Sequence, residues 1–361
     1  MSTPQKPKKT KIKQPKHSWL GRMFRRLLLM LLTLVLAGIA LLFDGHQQLD
    51  APLGLSEPRN FDIAAGSSLP KILANANEQG VFAAHRQAIY LGLLARVDGG
   101  AAMVKAGEYR IEPTMTPRSL LTLWVSGKTV LHELQLIEGW RFADALKKVR
   151  ESPVLTQTLA PDLDDAGLMA ALGQPGKSPE GRLFPDTYRF SKGMSDVAFL
   201  RKALAAQEQV LAEGWASRDP NLPYDGPEQA LIMASIIEKE TGLAAEREQI
   251  AGVFVRRLQI GMRLQTDPTV IYGIGSAYDG NIRSRDLLAD TPYNTYTRDG
   301  LPPTPICLPG RAAIHAAMHP EAGDALYFVG KGDGSHQFSA TLAEHNEAVR
   351  RYQLGGRGAA Q

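Results

Sequence analysis

The sequence predicts an α+β protein carried on an N-terminal transmembrane helix, with a small α+β unit followed by a larger mixed α+β unit. Three observations predict it. A charge-free apolar run at residues 27–43 follows a segment dense in lysine and arginine. Beyond it, short strand-like segments are interspersed with capped helical stretches in no regular strand–helix repeat, which argues against a parallel α/β sheet. Roughly 310 of the 361 residues lie past the apolar run, enough for two domains.

The first 26 residues hold nine basic side chains (Lys6, Lys8, Lys9, Lys11, Lys13, Lys16, Arg22, Arg25 and Arg26), no acidic ones, and three prolines. Such a segment has too little apolar surface to fold, so residues 1–26 are expected to be a disordered basic arm. In the run 27–43 (LLLMLLTLVLAGIALLF), Thr33 alone carries a hydroxyl. As a helix it spans roughly 26 Å, close to the hydrocarbon thickness of a bilayer. The positive-inside rule keeps the arm in the cytoplasm and places Asp44 onward outside. A cleaved signal peptide is the competing reading, with Gly38-Ile39-Ala40 as a weak cleavage site. The basic region is too long and the apolar run exceeds a usual signal core, so an uncleaved anchor is expected. The only cysteine, Cys307, lies far from this region, which excludes a lipoprotein.

Without the arm, the 41 Lys and Arg fall to 32 against 37 Asp and Glu, a net charge of about −5. The sequence pI near 9.0 therefore belongs to the arm and speaks for anionic lipid headgroups, not for nucleic acid. A single cysteine permits no internal disulfide, so the outer part must be held by its core.

Residues 44–60 are polar and contain proline, which predicts an extended stalk. Residues 61–127 read as a small unit: a strand at NFDIAAG, helices near 69–77 and 83–96, and a returning strand in KAGEYRIEP. A further helix starts at Thr116-Pro117, an N-cap followed by proline at the first helical position. Residues 128–355 form the second unit. It opens with the alternating strand TVLHELQLIEG and a helix over 142–150, then passes through Asp-, Pro- and Gly-rich segments to GRLFPDTYRF.

The chemistry is to be sought after Asn221. DGPEQALIMASIIEKETG reads as a helix capped by Asp225 with Glu228 three residues on, and ended by Gly242. Its middle is apolar nearly all round, which means burial on most sides. Its last turn carries Glu238, Lys239 and Glu240. The negative pole of a helix C-terminus disfavours a carboxylate, and partial desolvation does the same, so a carboxyl there can hold its proton as a general acid. Glu238 and Glu240 lie about 200° apart on the helix, so one cleft can receive only one of them. The same three charges also describe a solvated helix end with Lys239 as counter-ion.

A helix follows from Glu246 to Gly261, with Ile250, Val253, Phe254 and Leu258 on one face. Asp267-Pro268 then starts a short helix, so Gln265, Thr266 and Asp267 share a tight loop. The irregular stretch TPYNTYTRDGLPPTPICLPG brings Tyr293, Asn294 and Tyr296. Tyrosine presents an apolar face and a hydroxyl, which suits a sugar ring, although a purely structural loop remains open. The tail reads helix (311–318), strand, turn KGDGS, strand, and a last helix with Thr341 and Glu344 as capping box. His319, His336 and His345 lack metal-ligand spacing, so no metal is expected.

ASIIEKETG, GMRLQTDPTVIYGIG, YNTYTRDGLPPTPI and LYFVGKGDGSHQF…HN, in this order, resemble the YceG-like family, the MltG-type endolytic lytic transglycosylases. The resemblance is close over residues 131–352. It is looser over 61–127, whose strand–helix–helix–strand order resembles a LysM carbohydrate-binding module. The resemblance implies an enzyme of the bacterial inner membrane with its bulk in the periplasm and peptidoglycan glycan strands as substrate. It implies cleavage of the N-acetylmuramic acid β-1,4-N-acetylglucosamine bond in nascent strands with a 1,6-anhydromuramoyl end, which would terminate strand elongation. Peptidoglycan synthases are the class of protein partner it suggests, and it implies no cofactor. KETGLA resembles the catalytic signature of soluble lytic transglycosylases and aligns Glu240 with their acid, leaving Glu238 as a second acidic candidate. Gln265, Asp267, Tyr293, Asn294 and Tyr296 match motif positions and are expected to bind substrate. A hydrolysing muramidase using Asp267, or a non-catalytic wall-binding scaffold, are the alternatives from other classes.

Overall fold

The computed structural model describes residues 19–354, so the first 18 residues of the expected basic arm lie outside the described residues. The contacts divide the chain into two compact units, Met1–Val130 and Leu131–Gln361. Both mix helices with short antiparallel strand pairs, an α+β architecture containing three two-stranded sheets among the described residues.

Helix α1 (Trp19–Asp50) is longer at both ends than the expected span. Residues 19–26 are helical and not part of a disordered arm. Arg, Leu and Met are strong helix formers, and no proline follows Pro15 before Pro52. Within it, residues 21–50 have a mean hydropathy of 2.6 in their most apolar window, long and apolar enough to cross a membrane. At the other end, the expected stalk is corrected. The helix continues to Asp50, and Leu49 and Leu53 are buried in the core of the first unit. Asp44 and Asp50 have partners in that unit: the Tyr90 hydroxyl donates to Asp44 at 2.8 Å, and Arg118 pairs with Asp50 at 3.0 Å. Buried leucines and satisfied carboxylates tie down a segment that its polar composition alone marks as loose.

The rest of this unit runs β1 (Arg59–Ile63), α2 (Leu69–Glu78), α3 (His85–Val97), β2 (Gly107–Ile111) and α4 (Pro117–Ser126). β1 and β2 pair antiparallel with Phe61 opposite Tyr109. Phe61, Tyr109 and Trp124 fill the centre of the core. α4 starts as read from sequence, with a reciprocal cap between Thr116 and Ser119.

The second unit opens with β3 (Leu131–Gln135), α5 (Phe142–Arg150), α6 (Asp165–Ala171) and β4 (Thr187–Ser191), with β3 and β4 antiparallel. The long α7 (Asp196–Ser217) was not anticipated from sequence. Its buried residues Phe199, Leu200, Ala203, Leu204, Gln207 and Val210 face two neighbouring clusters, so no single apolar stripe announces it. Then come α8 (Pro227–Glu240), α9 (Arg247–Gln259), α10 (Asp267–Ile274), α11 (Ser284–Leu288) and α12 (Arg311–Met318). The hairpin β5 (Tyr327–Gly330) and β6 (His336–Ser339), then α13 (Leu342–Tyr352) behind its Thr341–Glu344 cap, complete the chain. Every residue of α8 from Ala230 to Ile237 is buried, packed against α12 and α9.

Candidate active site

α8 starts at an N-cap of Gly226, not Asp225, whose carboxylate instead accepts from the Gln229 amide. Glu228 pairs with Arg182 at 2.6 Å rather than closing a capping box. The helix ends at Thr241, one residue before the expected Gly242. Glu240 is thus the last helical residue, at the negative pole of a helix sheathed in apolar side chains.

The two glutamates face apart. Glu238 accepts from the Gly310 backbone N–H at 3.0 Å, and burial, then the nearby Glu138 charge, raise its pKa. Glu240 points into an open cleft of about 440 Å³ whose lining also includes Arg257, Gln265, Asp267, Tyr296 and His336. Its half-buried carboxyl accepts a hydrogen bond from the Thr266 hydroxyl. Burial pushes its pKa up to about 7; the Thr266 bond opposes this, the Asp267 charge adds to it, and the His336 and Arg257 charges lower it again. Desolvation wins because the only direct donor to the carboxylate, among the described residues, is a neutral hydroxyl.

The loop bearing Thr266 is held from below. Thr266 is buried, its N–H bonds the Thr295 hydroxyl at 3.1 Å, and Thr269 bridges Thr295 at 2.9 Å. Gln265 adopts φ +48°, left-handed for a non-glycine residue, and its N–H bonds the Thr295 carbonyl. Such a conformation persists only where surrounding contacts over-determine it. Thr266 is the N-cap residue of α10, with Asp267 its first helical residue, a shift of one from the sequence reading. Asp267 accepts from the Tyr296 hydroxyl at 2.6 Å.

Four of the residues singled out by sequence therefore share the cleft: Glu240, Gln265, Asp267 and Tyr296. Glu238, Tyr293 and Asn294 do not line it. Asn294 is buried and its side-chain amide donates to the carbonyls of Asp286, Leu287 and Ala289, while its oxygen accepts from the Tyr296 N–H. Tyr293 packs on Tyr272 and bonds Thr304. Both hold the loop that presents Tyr296.

Sequence reasoning missed Arg257 and weighed His336 and His345 only as metal ligands, not as cleft residues. Arg257 lies on α9 with its guanidinium donating to the carbonyls of Leu326 and Leu264, fixing a positive charge beneath the cleft. His336 is clamped by Glu246, which accepts from its backbone N–H at 3.0 Å and contacts its Nδ1 at 2.7 Å. Burial, then the Arg257 charge, lower the pKa of His345, whose Nδ1 has no hydrogen-bond partner among the described residues. A signal for Arg257 existed: it falls beside the buried stripe of α9, where an arginine needs partners.

A carboxyl held near neutrality by burial in an open, polar-walled cleft is the kind of group that can exchange a proton with a bound molecule. The chain belongs to the YceG-like family, whose sequence model matches residues 61–351, from β1 of the first unit into α13 of the second. An endolytic murein transglycosylase of Bacillus subtilis (strain 168) is 31% identical over 309 residues, covering 81% of this chain and 84% of that protein. One of Streptococcus pneumoniae serotype 2 (strain D39 / NCTC 7466) is 28% identical over 279 residues, 68% of this chain and half of that protein. A crystal structure of a YceG-like protein of Listeria monocytogenes has 30% identity and a TM-score of 0.49, covering 81% of this chain and 99% of that one.

Proposed function

We propose that this chain is an endolytic lytic transglycosylase of peptidoglycan, and that Glu240 is its single acid–base. The observation that carries the reading is Glu240, alone of the two helix-end glutamates, facing the cleft with a pKa of about 7. The names of the relatives support the substrate class.

Glu240 in its acid form protonates the oxygen that links N-acetylmuramic acid C1 to N-acetylglucosamine C4. The C1–O bond breaks, the N-acetylglucosamine leaves with that proton on O4, and positive charge develops at C1. The Glu240 carboxylate then takes the proton of the muramic acid 6-hydroxyl as O6 bonds C1, giving the 1,6-anhydro end and restoring the acid. The Thr266 hydroxyl and the charges of Arg257 and His336 stabilise the carboxylate phase, while desolvation stabilises the acid phase. A pKa between these pulls suits a group that must both give and take a proton. Cutting within nascent strands would end their elongation.

Asp267 in the same cleft supports a second reading, a hydrolysing muramidase in which it holds an attacking water. Mass spectrometry of products from intact glycan decides between the two. Anhydro ends are lighter than reducing ends by one water, and exclusively reducing ends would overturn the transglycosylase reading.

The placement we infer is a bacterial inner membrane crossed once by α1, with the arm cytoplasmic and both folded units periplasmic, supported by the apolar helix and the basic residues before it. A reporter fused after Gln361 should be active only in the periplasm, and cytoplasmic activity would reverse the topology. The first unit, with its strand–helix–helix–strand order, is read as a LysM-like glycan-binding module.

A further inference from the structure

Unit one sets an apolar helix face beside the part of α1 that is apolar on every side. Tyr90 of α3 bonds Asp44 and packs on Gly45, while the carbonyls of Gln48 and Pro52, further along the chain, accept from Gln87. A step backward on α3 is thus a step forward on α1, so the two helices run antiparallel. Past Tyr90, α3 heads back along the apolar stretch of α1. A groove of about 810 Å³ lies between them, with Gly38, Leu41 and Leu42 on one wall and Ile89, Leu93 and Val97 on the other. Gly38 lies about 9 Å along the α1 axis from Asp44, on the side of the apolar span.

Ile89, Leu93 and Val97 recur every four residues and so form one stripe. They are 51%, 49% and 85% exposed, and Met103 just beyond is 58% exposed. The opposite face of α3 is already buried through Ala88, Leu91 and Ala95. A helix apolar on both faces, one of them uncovered by any of the described residues, is not the pattern of a helix resting on a domain in water. Arg96 lies beside the stripe, long enough to reach a headgroup layer while its stem stays with the apolar surface, whereas Arg86 at the other end pairs with Asp44 of α1 at 3.2 Å.

We propose that α3 is a second membrane contact. Its stripe of Ile89, Leu93 and Val97 rests in the lipid leaflet on the side of the folded units, and acyl chains fill the groove against α1. Lipid is the occupant because the groove's other wall is the surface of α1 that faces acyl chains, so the two surfaces are continuous. The inference rests on the reading of α1 as a transmembrane anchor. Its consequence is that unit one is seated on the bilayer at a fixed height instead of being lifted away on a stalk.

The test uses the full chain in phosphatidylethanolamine–phosphatidylglycerol vesicles, with an environment-sensitive fluorophore at Val97→Cys, Val35→Cys or Thr114→Cys. Cys307 is buried and does not compete for label. Val35 lies in the apolar span, and Thr114 is exposed beside Met115, whose carbonyl bonds Leu53 beyond the end of α1. Brominated lipids should quench the labels at 35 and 97 to a similar extent and blue-shift both, leaving 114 unquenched. Quenching at 35 with a label at 97 that behaves like 114 would overturn the proposal while leaving the anchor intact. No quenching at 35 or 97 would remove the anchor reading and the proposal with it. A blue shift at 97 without bromolipid quenching would mean that protein, such as a second copy, covers the stripe, and would also overturn it. Val97 is mostly exposed, so the cysteine leaves the core untouched.

Discussion

Glu240 sits between opposing influences, of which desolvation is the largest. Desolvation and the Asp267 charge favour the acid; the Thr266 hydroxyl and the His336 and Arg257 charges favour the anion. Glu240→Gln keeps size and shape but cannot transfer a proton, so anhydromuramoyl product from purified glycan should fall by a factor of roughly 10²–10⁴ or more. Glu238→Gln should retain most activity, because its carboxyl meets the Gly310 backbone and not the cleft. The folded chain holds the Glu240 proton more tightly than an unfolded one, so this residue's contribution to stability falls as pH rises from about 4.5 through about 7. Glu240→Gln should therefore melt no lower than the parent above pH 7, by circular dichroism. In the proposed mechanism the acid form starts the reaction, so the rate should fall as pH rises through about 7. Thr266→Val removes a donor to the anion and should move that falling limb to higher pH; Asp267→Asn removes a repelling charge and should move it lower. Rate profiles with limbs that do not move would detach the limb from Glu240.

At the scale of elements, the site is two loops pinned to the end of one helix. α8 is buried through Ile237 and brings Glu240 to the surface in its final turn. The 264–267 loop reaches the carboxyl only because Thr295 holds Gln265 and Thr266 by backbone and hydroxyl. The 291–297 loop is held in turn by Asn294, whose amide serves three carbonyls. Asn294→Ala would remove a buried amide and its hydrogen bonds to those three carbonyls, a cost of about 2–4 kcal/mol. The melting temperature should drop by roughly 5–10 °C, and activity should fall although Asn294 does not line the cleft. A variant with unchanged melting and unchanged activity would show that the Asn294 bonds do not hold this loop.

At the scale of the molecule, the units have separate interiors. One core lies wholly within residues 49–124, and the two others lie within residues 134–318. The junction is sharp for a local reason. The Val130 N–H still bonds Glu108 of the first unit, whereas Leu131 pairs with Ser191 of the second. Residues 131–361 expressed alone should unfold in one cooperative transition and release the same anhydro products from soluble glycan. If the first unit binds glycan, that fragment should bind wall sacculi more weakly than the full chain. Failure of the fragment to fold would show that the second unit depends on the first.

The sequence by itself determined the elements whose signals lie within a few residues of one another. The apolar span inside α1, the Thr116 and Thr341 caps, the hairpin around KGDGS and the buried run of α8 are all of this kind, since capping and periodicity act over one helical turn or one strand pair. It also placed two carboxyls at the end of α8 on opposite sides, because 3.6 residues per turn leaves no other geometry. Only the tertiary structure decided which of them meets the cleft, and what surrounds it. Thr266, Arg257 and His336 come from separate elements, and desolvation is a sum over all of them. The same holds for the segment after Phe43. Its polar residues look like a stalk one by one, yet Asp44, Asp50 and Leu53 each have a hydrogen-bond partner 46 or more residues away in the chain, and Leu49 joins the same core. Such partners leave no local trace, because burial is a property of what the chain brings near and not of the residue being buried.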